Sequence, residues 1–371
     1  MEKELKSNYF PYSKEEAIAT AQLGIEWLCR AVKQDGKFVY QYHIHDKGLN
    51  EYKQYNILRH AGCVWAMFYA LNYMEMEWSK RKILSSRAWI ALKELIVNNI
   101  CLLGKGKNEF YCLQDKGFLK IGSLGLGILA LLEAYKNSRR VTKVFNNPKL
   151  YEEYIKLVTN LSELLLYLQQ EDGSFPFHKY DLASRVESSF KSKFYDGECA
   201  LALVRLWKDL KIIKYKEAAE KLIKWKFEKK QKEGHIRDHW MLQAIDELTK
   251  NLDINYKDYP MYIEYASAIA EKILNDPYDL YRGDIFGSLA CRSEALISYL
   301  KIINYKEGAT NHTKEQVHAK LNEYLRIQIV GQIKYGLSTG AWVTNLYDSI
   351  VRCDFAQHNS MAFLRYSLLK L

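Results

Sequence analysis

Five short clusters of ionisable residues recur along the 371-residue chain. They are Arg59-His60, Asp196-Gly197-Glu198, Arg237-Asp238-His239, Arg292-Ser293-Glu294, and Arg352 with Asp354, Gln357 and His358. Glycoside hydrolysis needs two carboxyl groups across a scissile bond, one protonated to assist departure and one ionised to activate water or attack carbon. Glu198, Asp238, Glu294 and Asp354 are the candidates. Removal of a sugar proton uses His or Tyr instead, with Arg neutralising substrate charge. His239 and His358 suit the first task, and Arg59, His60, Arg292 and Arg352 suit substrate binding. The residue types do not choose between these chemistries. Of the aromatics near these clusters, Tyr195, Trp240 and Trp342 are the candidates for stacking on a sugar ring.

Two further patterns bear on cofactors. Cys353, Asp354 and His358 superficially fit zinc, but adjacent helical residues diverge by about 100°, so neither a metal nor another cofactor is expected. Asp354 and His358, one helical turn apart, read as a carboxylate orienting an imidazole. The Gly122, Gly125 and Gly127 run lacks the Gly-Lys-Ser/Thr ending of a phosphate loop and reads as close helix contact.

Every cluster opens an apolar stretch with helical spacing. Six such stretches are apolar on nearly every side: Asn56 to Leu71, Ile121 to Tyr135, Asp196 to Trp207, Asp238 to Leu248, Ser288 to Leu300 and Asp354 to Leu369. Between them lie six amphipathic, Lys/Glu-bearing stretches: Lys14 to Val32, Arg81 to Val97, Leu150 to Leu168, Tyr215 to Lys229, Met261 to Leu274 and Lys314 to Ile329. Dry helices alternating with wet ones predict an all-α, (α/α)6 barrel, with an inner ring, an outer jacket and long loops at one mouth. Asn56, Asp196, Asp238, Ser288 and Asp354 also have the chemistry of N-caps. Capping does not account for Arg59, His60, Glu198, His239, Arg292, Glu294, Arg352 or His358. Cations at the positive end of a helix dipole need partners, either mouth carboxylates or an anionic ligand.

Composition bounds the rest. Only 5 prolines and 19 glycines argue against a linker-rich or disordered chain. The formal charge of +10 is spread through helices without a nucleic-acid motif, which favours a small anionic substrate over nucleic acid. The seven cysteines include no CxxC pair and read as reduced core thiols. No apolar run reaches the roughly 18 residues that span a bilayer, and residues 1–13 lack an apolar signal segment. A single domain over residues 1–371, with 1–13 as an N-terminal extension and a cytoplasmic location, is the expectation. Oligomeric state stays open.

The run Gln169-Gln170-Glu171-Asp172-Gly173-Ser174-Phe175, echoed by Asp35-Gly36-Lys37-Phe38, resembles the Q-x-x-D-G-x-F turn of hairpin junctions in the α/α-toroid superfamily. That superfamily includes six-hairpin glycosidases, polysaccharide lyases, sugar 2-epimerases, terpenoid cyclases, prenyltransferase β-subunits and lanthionine synthetases. The D-x-D-D acid of class II terpenoid cyclases and the Cys-His dipeptide of lanthionine synthetases are both missing from the sequence. The resemblance therefore implies a carbohydrate-active enzyme of the six-hairpin type that hydrolyses, eliminates or epimerises an oligosaccharide or sugar conjugate. Two alternatives stay open: a non-catalytic toroid holding a glycan, peptide or lipid head group, and an isoprenoid- or peptide-modifying toroid.

Overall fold

The computed structural model describes residues 12–45, 55–104, 106, 109–145, 148–305 and 312–369; most of the expected 1–13 extension lies outside them. Among the described residues twelve helices alternate in burial. The outer set is α1 (Lys14–Ala31), α3 (Trp78–Val97), α5 (Pro148–Leu168), α7 (Ile213–Glu233), α9 (Tyr259–Leu274) and α11 (Lys314–Val330). The inner set is α2 (Ile57–Tyr73), α4 (Ile121–Phe145), α6 (Tyr195–Leu210), α8 (His239–Thr249), α10 (Ile285–Tyr305) and α12 (Cys353–Ser367).

Outer α1 buries one stripe, Ala17, Ala21, Ile25 and Leu28, whereas inner α10 buries residues on every side. That difference decides which layer each helix joins, because a helix apolar all round has no face to give to water. The inner helices pack in the order α2, α4, α6, α8, α10 and α12, and α12 closes on α2. Helix α1 packs against α12 and completes the sixth hairpin. The chain is thus an (α/α)6 barrel, as its sequence pattern predicts.

The inner helices run parallel, so their first turns gather at one mouth. Connections into them are mostly long, and they carry the strands. Strands β2 (Ile100–Leu103), β3 (Phe110–Asp115), β4 (Phe118–Lys120), β5 (Lys179–Asp181) and β6 (Val186–Glu187) form one antiparallel sheet in that order. Strand β1 (Gln41–His43) pairs with β7 (Ile350–Arg352), Gln41 opposite Arg352, and delivers the chain into α12. The two Asp-Gly turns sit in these connections, with Gly36 at φ 89° and Gly173 at φ 93°, a region where L side chains are strained. Helices α4 and α6 approach closely: a Cβ on Gly125 would lie 2.9 Å from the Glu198 backbone. At the opposite end Arg205 bridges Glu133 at 3.1 Å and Glu247 at 2.7 Å.

The cap expectations are corrected in part. Asn56 and Asp238 do cap α2 and α8, accepting from Leu58 and Arg59 and from Met241 respectively. Asp196 and Asp354 lie inside their helices, after N-caps Phe194 and Arg352, and Ser288 lies inside α10. Their side chains are free for other partners.

Candidate active site

The mouth opens into a cavity of about 600 Å³. Its lining includes Arg59, Tyr195, Glu198, His239, Trp240, Arg292, Arg352, Asp354 and His358, drawn from five inner helices and β7. Nine of the thirteen expected site residues therefore meet in one place. Asp238 and Glu294, both fully buried, stand behind this wall.

Asp354 anchors one side. Its carboxylate accepts from Arg352 Nε and Nη2, each at 2.8 Å, and pairs with Arg59 Nε at 2.9 Å. Burial opposes the charge, but the two guanidinium groups outweigh it and hold the Asp354 pKa at about 2. This corrects the pairing expected from sequence: Asp354 fixes two arginines and does not orient His358. With a pKa near 3.9 in the unfolded chain, its stabilisation is complete above that pH and is lost as pH falls towards 2. Asp354→Asn should cost roughly 2–3 kcal/mol near neutral pH by stranding both arginines. Urea unfolding of both proteins at falling pH should show that difference shrink as wild-type Asp354 becomes protonated.

Opposite, His358 Nδ1 bonds Glu294 Oε1 at 2.8 Å, and Glu294 Oε2 accepts from Gln243 at 3.3 Å and lies 3.5 Å from Arg365. Burial disfavours a charged His358, but Cys291 and the Glu294 carboxylate prevail and raise its pKa well above the usual imidazole range. His239 lies 5.2 Å away, ring centroid to centroid. Only 3% exposed, it has no hydrogen-bond partner on either ring nitrogen among the described residues. Burial, reinforced by His358, pushes its pKa far down. The two imidazoles are thus pushed in opposite directions, His358 towards its charged form and His239 towards its neutral one.

Glu198 Oε2 is likewise buried without a hydrogen-bond partner among the described residues. A Cβ at Gly122 would stand 2.2 Å from that oxygen, so the glycine makes its room. Burial, then the proximity of Asp238, raises the Glu198 pKa well above the carboxylate range, leaving a neutral acid. Burial also lifts capped Asp238 to about 7. Asp196 is ion-paired with Lys226 and lies 3.3 Å from His178 Nε2; these neighbours overcome burial and lower its pKa. Arg292 is held by the Asp276 carboxylate and, at 3.2 Å, by the Asp276 carbonyl.

Two expected ligand contacts lie elsewhere. Trp342 is fully buried, donates Nε1–H to Gln328 O at 2.8 Å and stacks on Phe363; it is core. His60 points between α2 and α3, its Nε2 2.9 Å from Ala91 O. Burial drops its pKa to about 4. Unfolded histidine titrates near 6.5, so the His60 contribution is complete above that pH and disappears as pH falls to about 4. His60→Gln keeps a donor for Ala91 without the titration, so its unfolding free energy should decline less than wild type's over that interval.

Sequence reasoning missed Cys291, which lies on the cavity wall. Its thiol lies with one ring nitrogen each of His239 and His358 in a triangle whose corners are within 4.8 Å of one another. The three come from α10, α8 and α12, so no linear spacing marks them. Asp276 and Asp284, the carboxylates that seat Arg292 and Arg352, lie in the loop before α10 and were equally hidden.

No family model matches the chain, and no curated protein matches it in sequence. Solved structures do match in fold. A D-mannose isomerase aligns over 98% of this chain and 100% of its own, with 12% identity and a TM-score of 0.68. Cellobiose 2-epimerase from Bacillus thermoamylovorans covers 95% and 98%, with 13% identity and a TM-score of 0.65. The α-1,6-mannanase GH76A of Salegentibacter covers 96% and 100%, with 12% identity and a TM-score of 0.58. At such identities the likeness establishes the toroid fold and no more.

Proposed function

We propose that the chain is a carbohydrate-active enzyme of the proton-transfer kind, an isomerase or 2-epimerase acting on a small sugar that carries an anionic group. One observation carries the choice over hydrolysis. Of the four candidate carboxyl groups only Glu198 and Asp354 line the cavity; Glu198 is neutral and Asp354 is locked between two arginines. A hydrolase of this type needs a free carboxylate opposite its acid, whereas the unengaged basic atoms here belong to an imidazole. The chain also has no two consecutive aspartates, and replacing such a pair inactivates the mannanase.

In this reading neutral His239 takes the proton from the carbon beside the sugar carbonyl. Glu198 gives a proton to the developing enediol oxygen, while charged His358 and Arg59 stabilise the negative charge. In isomerisation His239 returns its proton to the neighbouring carbon while Glu198, now a carboxylate, takes the proton of the other enediol hydroxyl. In epimerisation charged His358 protonates the opposite face of the same carbon, Glu198 takes back the proton it gave, and the two imidazoles exchange their protons with solvent before the next turnover. Arg59, Lys193, Arg237, Lys272, Arg292 and Arg352 line the cavity against the carboxylates of Asp276, Asp284 and Asp354, an excess of cations that suits a phosphate or carboxylate on the sugar. The test is product analysis after incubation with mannose, glucose, cellobiose and the 6-phosphates of the first two. An isomer or epimer, formed faster from a phosphorylated sugar, is the expected product. Release of mannose from α-1,6-mannotriose without isomerisation of any free sugar would overturn the reading.

A further inference from the structure

We propose that His239, Cys291 and His358 form a three-ligand site for a borderline-soft divalent cation of the zinc type, open to the cavity at its fourth position. The three donor atoms already lie within 4.8 Å of one another. Tetrahedral zinc, with bonds of about 2.0–2.3 Å, sets neighbouring donors roughly 3.3–3.8 Å apart, so side-chain movements on the order of 1 Å would close the triangle.

Three independent features point to a ligand here. His239 is buried with both ring nitrogens unpartnered, a costly state for a polar group. His358 has Nδ1 engaged by Glu294, which leaves its other nitrogen for the metal in the carboxylate–imidazole–metal relay that orients ligating histidines. Cys291 and Glu294 lie three residues apart on α10, so one helix supplies both a ligand and the group that orients another. Two imidazoles and a thiol select zinc, cobalt or copper over magnesium or calcium. Binding converts the Cys291 thiol to a thiolate and removes the proton from the ligating nitrogen of charged His358, and both protons pass to solvent.

The consequence for turnover rests on the reading under Proposed function. The metal would occupy the His239 lone pair that takes the proton and would displace the proton that keeps His358 charged, so binding and turnover are mutually exclusive, and zinc acts as an inhibitor reversed by chelation. Cobalt titration of chelator-treated protein tests the site without reference to activity. One equivalent of Co²⁺ should produce a thiolate-to-metal charge-transfer band together with the intense visible absorption of a four-coordinate ion, and Zn²⁺ should displace it. Cys291→Ser should lose the charge-transfer band and at least 10-fold in affinity, whereas Cys101→Ser should lose neither. Absence of the band in the wild type, or its survival in Cys291→Ser, would overturn the site. If Co²⁺ binds as described but sugar conversion proceeds undiminished at saturating metal, the site stands and the imidazole proton-transfer reading fails.

Discussion

His239→Phe is expected to abolish turnover while making the protein more stable. The native imidazole buries two ring nitrogens without partners, whereas Phe presents a ring of similar size to Trp240, His358 and Phe194, whose ring centroids stand 4.7, 5.2 and 5.9 Å away. Removing the unsatisfied nitrogens should gain on the order of 1 kcal/mol. Losing the base should lower turnover by about 10²–10⁴. Thermal or urea unfolding alongside a conversion assay reads both effects. A less stable variant would show that the imidazole has a structural partner, and retained turnover would remove it from the chemistry.

Glu198→Gln is the second large effect. Glutamine has the shape and neutrality that buried Glu198 already has, and it fits the space left by Gly122, so stability near neutral pH should change by less than about 1.5 kcal/mol. It cannot give up a proton as an acid, and turnover should fall by at least about 10². The pH dependence fixes the sign. Folding holds Glu198 neutral, while the unfolded chain ionises it above about 4.3. Its contribution is therefore fully present below that pH and is lost as pH rises. The variant escapes that loss, so it should gain on the wild type in unfolding free energy between about pH 4 and 8. A parallel pH dependence in the two proteins would mean that Glu198 is ionised when folded.

The barrel was legible because one property, apolar on one side or on all sides, is local to each helix and repeats twelve times. Convergence of the helix starts followed from it, which is why Arg59 and Asp354, nearly 300 residues apart in sequence, were expected together. Pairing within the site was not legible. Asp354 and His358 are one turn apart on α12, yet Asp354 is captured by arginines from α2 and from the end of β7, while His358 is captured by Glu294 on α10. The orientation of His60 was hidden for a related reason. Residues 59 and 60 diverge by about 100° around α2, so one faces the cavity and the other faces α3. Trp342 reads as a mouth aromatic by its position in a loop, but that loop folds back onto α1, where a Cβ on Gly24 would lie 2.7 Å from the indole.

Proton transfer at the sugar carbon beside the carbonyl leaves a mark that needs no knowledge of the product. With the protein incubated in D₂O with mannose 6-phosphate or glucose 6-phosphate and followed by proton NMR, the C2 proton signal should disappear as solvent deuterium enters. The rate should collapse in both His239→Phe and Glu198→Gln. Full retention of the C2 proton in a sugar that the protein demonstrably binds or cleaves would contradict the account.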